Sequence, residues 1–96
     1  MTPLMIAVTF GHQDIVRLLL EHGANQELQD SEGWIALHGA VNNDRPSIIE
    51  LLCAAPGAAS ALALRTRSSG RTPLAIAVAR RHAACEAVLR AHGATR

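Results

Sequence analysis

Three residues near the end of this chain look most like a reacting set: His82, Cys85 and Glu86. They offer a thiol, an imidazole to take its proton and a carboxylate to orient the ring. On a helix His82 and Glu86 share a face at i,i+4, and Cys85 lies three residues from His82. Thiol catalysis also needs an activated thiolate and donors for an oxyanion, and no glycine-rich loop adjoins these residues. The five histidines invite a metal reading, but their spacing argues for a different origin. His12 and His82 are 70 residues apart, and so are His22 and His92, with no converging ligand set between them. Cys53 and Cys85 show no Cys-x-x-Cys spacing and read as two ordinary buried thiols in a reducing compartment. The expectation is no catalytic residue, no cofactor and no metal.

The 70-residue echo comes from a block written three times. It reads Thr2-Pro3-Leu4-Met5-Ile6-Ala7, then Ile35-Ala36-Leu37-His38-Gly39-Ala40, then Thr72-Pro73-Leu74-Ala75-Ile76-Ala77. The first two copies are 33 residues apart and the last two 37. Each leads through a polar break into a Leu/Val/Ile-rich helical run and then a glycine. A Thr-Pro-Leu-His-x-Ala block at such a period is the mark of ankyrin repeats, and the chain resembles that family over essentially its whole length. The resemblance implies an all-α repeat solenoid: antiparallel helix pairs stacked in line, with hairpin fingers projecting to one side. It implies one domain over 1–96, with repeats roughly at 1–30, 31–67 and 68–96.

The residues read the same way on their own terms. Thr2 is a natural N-cap and Pro3 suits the first helical position. Leu4, Ala7 and Val8 keep helical spacing up to Gly11-His12, and a second helix is expected at about Gln13 to Glu21. Gly23 supplies a left-handed stop. Asn25 to Gly33 is too short and polar for another helix. The composition is 49% hydrophobic but only 2% aromatic, so alanine, leucine and valine must fill the core. No apolar run approaches the length of a membrane span, and Met1 opens no secretory signal.

The middle repeat departs most from the pattern. Ile35-Ala36 replaces Thr-Pro, which predicts a weak joint that Ile35→Thr with Ala36→Pro would strengthen by about 1 kcal/mol. Asn42-Asn43-Asp44-Arg45 replaces the Gly-His turn, and Pro46 restarts the outer helix. Gly57 to Gly70 is three residues longer than Gly23 to Gly33, predicting a longer, looser, basic second finger. The family's histidine usually bonds the threonine of its block, so the resemblance gives His38 a structural role. In this chain no copy holds both residues. The family's finger asparagine aligns with Glu27, so its hydroxylation is not carried over.

At the C-terminal end Glu86 and Arg90 stand where the first repeat has Val16 and Leu20, a polar face suited to a terminal unit. The first repeat keeps an internal-type apolar face. Either the sequence is a piece of a longer array or this edge meets something else, including a second copy. Charge is divided as well. Residues 1–50 carry seven acidic side chains against two arginines, and 51–96 carry one against seven, with no lysine anywhere. Nucleic acid is not the expected partner, because no stacking aromatics accompany the arginines and the first half would repel a polyanion.

The resemblance implies that another protein binds across the finger tips and inner-helix ends. Carried over one by one, the binding positions are Thr9 and Phe10, then Gln29, Ser31, Glu32 and Trp34, then Asn42 and Asn43. Thr66, Ser68, Ser69, Arg71, Ala79 and Arg80 complete the set. The single Phe and single Trp both fall on this surface. Trp34 reads either as a binding anchor or as cover for the helix base. The function expected is a non-catalytic, intracellular interaction scaffold. The alternative is a regulatory or targeting segment of a larger enzyme whose catalytic domain lies outside these residues.

Overall fold

The computed structural model describes residues 2–67 and 69–94, so Ser68 lies outside the described residues. The Thr2 hydroxyl accepts from the Met5 N–H at 3.1 Å, Pro3 takes the first helical position, and α1 runs Pro3–Thr9. After a left-handed turn at Gly11, α2 spans Gln13–Glu21. The first finger leads to α3, Ala36–Asn42, and α4, Pro46–Ala54. Then come α5, Ala58–Ala63, α6, Pro73–Arg80, and α7, Ala83–Ala91. Among the described residues there is no strand, and the fingers are closed by turns.

Two layers result. In the inner one α3 packs against both α1 and α6, and in the outer one α4 packs against α2 and α7. Each outer helix has two edges, one on the side of the repeat before it and one on the opposite side. Ile15, Ile48 and Cys85 share the first edge. Ile48 and Cys85 are 1% and 0% exposed beneath the preceding repeat, whereas Ile15 is 48% exposed. Val16, Ile49 and Glu86 share the second edge, and Val16 and Ile49 are fully buried by the repeat that follows. Glu86 has no such cover and pairs with Arg90 at 3.0 Å. Burial of one such aliphatic side chain contributes roughly 1.5–3 kcal/mol, so the middle repeat, covered on both edges, holds the stack together.

The middle inner helix solves its missing cap differently from its neighbours. Ile35 is 1% exposed, so it is core where the other copies have a hydroxyl. Ring Nδ1 of His38 accepts from the Ile35 N–H at 3.1 Å, which is half of a capping box. Nε2 of the same ring donates to the carbonyls of Leu64 and Arg71, each at 3.1 Å. The expected weak joint is therefore bound by a buried histidine that reaches both sides of the second finger.

That finger also corrects an expectation. Its first half is not loose coil but α5, started by Gly57 in the left-handed region and anchored by fully buried Ala61. Only the tip, from Leu64 onward, is irregular. There Thr66 N–H donates to the Arg71 carbonyl at 2.9 Å, and Arg67 N–H donates to the Glu32 carbonyl of the first finger at 2.8 Å. Gly33 permits that close approach, because a Cβ on it would lie 2.8 Å from the Arg67 backbone nitrogen.

Candidate functional site

The fifth position of the repeated block decides where this surface opens. It is Ile6 in the first repeat, Gly39 in the second and Ile76 in the third. Ile76 is buried on α6, which packs against α3. Gly39 fills nothing between α1 and α3: a Cβ added to it would meet only Val8 Cγ1, at 3.9 Å. An open recess of about 210 Å³ results, floored by Met5, Ile35, Ala36 and Gly39 and walled by Thr9, Asp30, Glu32, Trp34, Asn42 and Asn43.

Four of the wall residues are held by local contacts. Thr9 Oγ1 donates to the Met5 carbonyl at 2.9 Å, and Asn43 Nδ2 donates to the Gly39 carbonyl at the same distance. Asp30 Oδ1 accepts from the N–H groups of Glu32 and Trp34, both at 2.9 Å, an Asx-type turn that shapes the finger. Trp34 is half-buried and meets the His38 ring edge-on, with centroids 5.7 Å apart. One part of the indole thus covers the buried histidine while another lines the recess.

The remaining expected binding residues are distributed around this recess and beyond it. Phe10 is 65% exposed at the end of α1, with its ring centroid 6.4 Å from that of His12. Gln29 is exposed and donates to the Gly33 carbonyl at 3.0 Å, and Ser31 is exposed at the finger tip. On the second finger Ser69 and Arg71 are exposed, as are Ala79 and Arg80 at the end of α6. Thr66 is 3% exposed and spent on its own turn, bonding Ser69 Oγ at 2.7 Å and accepting from the Arg71 N–H. It offers little surface. The recess floor was not anticipated from sequence, although the signal was present: a glycine where both sister repeats carry isoleucine.

A second recess, about 290 Å³, lies between α5 and the end of α7 and is lined by three alanines with Leu62, Arg65, Thr72, His92 and Gly93. None of the expected binding residues reaches it. The residues first suspected of chemistry do not assemble as a nucleophilic set. Glu86 turns to Arg90, and burial, reinforced by the Asp44 carboxylate, pushes the Cys85 thiol up to about 12. At neutral pH it is a thiol, not a thiolate. Cys53 is likewise pushed up by burial, to about 11.

Comparison with known proteins agrees with the geometry. A family model described as ankyrin repeats, in three copies, matches residues 1–63. The chain belongs to the ankyrin-repeat family. Rabankyrin-5 of Mus musculus is 40% identical over 90 residues, covering 93% of this chain and 7% of that protein. Rabankyrin-5 of Homo sapiens is 38% identical over the same length, again 93% and 7%. The 2-5A-dependent ribonuclease of Homo sapiens is 52% identical over 40 residues, covering 41% of this chain and 5% of that protein. This ankyrin-repeat chain therefore spans less than a tenth of the length of these relatives. Ankyrin repeats mediate protein–protein interaction, and among the described residues no helix is long and apolar enough to cross a membrane.

Proposed function

We propose that this chain recognises a partner protein through its concave inner-helix and finger surface, with the recess at Gly39 and Trp34 as the anchor. The observation that carries this reading is that Thr9, Glu32, Trp34, Asn42 and Asn43, chosen from sequence as binding positions, line one opening. A half-buried indole beside carboxylates and amides has the make-up of an interface hot spot: apolar area to bury and polar groups to set orientation. Beyond the recess the surface grades to Arg71 and Arg80, so the partner presents an apolar or basic group to the first finger and acidic groups to the second. The free thiols Cys53 and Cys85 suit a reducing, intracellular compartment.

The test is a substitution series against a captured partner, with circular dichroism confirming each fold. Gly39→Ile fills the recess, and Phe10, Trp34, Arg71 and Arg80 are truncated to alanine. Each is expected to weaken binding about tenfold or more, as hot-spot losses of about 1–3 kcal/mol do. Gln13, Arg17 and Glu50 on the outer helices should change it little. Loss of binding through the outer set, with the concave set silent, overturns the surface.

A second reading places these repeats as a regulatory or targeting segment of a larger enzyme. The match to repeats within a protein named as a ribonuclease favours it, and recognition through the same surface would then serve that enzyme. The flanking reading frame decides between the two: a catalytic domain beside these residues supports this reading, and further repeats alone remove it.

A further inference from the structure

At the junction of the second and third repeats a carboxylate oxygen of Asp44, a ring nitrogen of His82 and Sγ of Cys85 lie within 4.8 Å of one another. Asp44 comes from the turn between α3 and α4, His82 from the residue before α7, and Cys85 from the first turn of α7. We propose that these three side chains form a binding site for a single divalent transition-metal ion of the zinc class, with water as the fourth ligand. The sequence predicts no metal because Asp44 is 41 residues from Cys85 and only the stacking of repeats unites them.

The donor set is sulphur, nitrogen and oxygen, and three protein ligands plus water is a recurrent arrangement for zinc. Metal–ligand bonds of about 2.0–2.3 Å place tetrahedral ligand atoms about 3.5 Å apart. Asp44 Oδ1 and Cys85 Sγ already stand at 3.3 Å. A backbone carbonyl orients the histidine. Its Nδ1 is 2.8 Å from the Val41 carbonyl. A carbonyl only accepts, so the proton is on Nδ1 and Nε2 keeps the lone pair. A ring held by a backbone carbonyl is what metal-ligating histidines show. Asp44 is exposed, which gives the ion a route in, while Cys85 is buried.

Without the ion, the Cys85 S–H donates to Asp44. Binding breaks the S–H bond and forms a sulphur–metal bond, and the proton leaves through the Asp44 carboxylate to solvent. No electron changes hands. One proton is released for each ion bound. The bound ion would cross-link the turn of the second repeat to the outer helix of the third. This site is independent of partner recognition and can be tested on the chain alone.

Cobalt(II) titration of the 96-residue chain reads the site directly, because a thiolate–cobalt bond gives a charge-transfer band in the near ultraviolet. The expected result is one ion per chain, displaced by zinc, with the band lost in Cys85→Ser and kept in Cys53→Ser. Zinc should raise Tm in the parent chain and not in Cys85→Ser. Asp44 has φ +54, at the turn position where the first repeat has Gly11, so Asp44→Gly relieves the backbone and keeps the fold. Its cobalt affinity should nonetheless fall about tenfold or more. No charge-transfer band, a band that survives Cys85→Ser, or unchanged affinity in Asp44→Gly overturns the site.

Discussion

Two residues of the middle repeat show opposite consequences of a departure from the repeat pattern. Gly39 lies inside α3 with ordinary helical backbone, so it costs helix stability and leaves space. Gly39→Ala should raise stability by about 0.5–1 kcal/mol in chemical denaturation, since its Cβ makes only ordinary contact with Val8. A fall would mean that the α1–α3 groove is tighter than the recess implies. His38 does the reverse and fills its surroundings with hydrogen bonds. Burial lowers its pKa below the ordinary histidine value, partly opposed by its bonds to Arg71 and Leu64 and by Asp30. The unfolded chain therefore takes up a proton first as pH falls. His38's contribution is complete above about pH 6.5 and is lost below it, down to the folded pKa. Protonation would also put an N–H on Nδ1 against the Ile35 N–H. Thermal melts should show Tm falling between pH 7.5 and 5.5, with the slope reduced in His38→Gln. An equal slope in the variant would assign the dependence to other groups.

At the scale of elements, the cap of α3 revises a simple expectation. Ile35→Thr supplies the missing hydroxyl, a gain of about 1 kcal/mol. It also removes apolar contact from a residue 1% exposed, a loss of about 1 kcal/mol. The two offset, and urea denaturation should show a net change under about 1 kcal/mol instead of a clear gain. A gain well above that would show that the Ile35 packing contributes little. The short helix α5 is the other case. Six residues are too few to be helical alone, so α5 depends on packing of Ala61 against the core and on partial cover of Leu62 and Leu64. Its amides should exchange faster than those of α4 by hydrogen exchange, where Ile48, Ile49 and Leu52 are buried on both edges. Equal protection would make α5 and α4 one cooperative unit.

At the scale of the whole molecule, the stack has two unlike faces. Ile6, Ile15 and Leu18 are 44%, 48% and 54% exposed, although their counterparts Ile76, Cys85 and Val88 are buried or half-buried under the middle repeat. The opposite face carries the Glu86–Arg90 pair. Contiguous apolar surface of this kind favours association. Ile15→Glu with Leu18→Lys should leave the denaturation midpoint nearly unchanged and reduce any self-association seen by sedimentation velocity. A large loss of stability would instead show that these residues are already covered.

Much of this protein was legible in its sequence because repeat structure writes the same local instructions again and again. Thr2 and Pro3, Thr72 and Pro73, and the left-handed glycines set helix starts and stops through contacts a few residues long. The two-edged pattern of the outer helices follows from neighbour positions alone, which is why Glu86 and Arg90 could be read as a polar edge. What only the tertiary structure decided came from residues far apart in the chain. The recess depends on a side chain absent at Gly39 between two helices. The role of His38 depends on carbonyls 26 and 33 residues away. Asp44 reaches Cys85 across 41 residues, while Glu86, adjacent in sequence, turns away. Local sequence sets backbone torsions and which face is apolar, whereas the meeting of polar atoms depends on how one repeat is offset against the next. That offset is fixed by the packing of the whole stack.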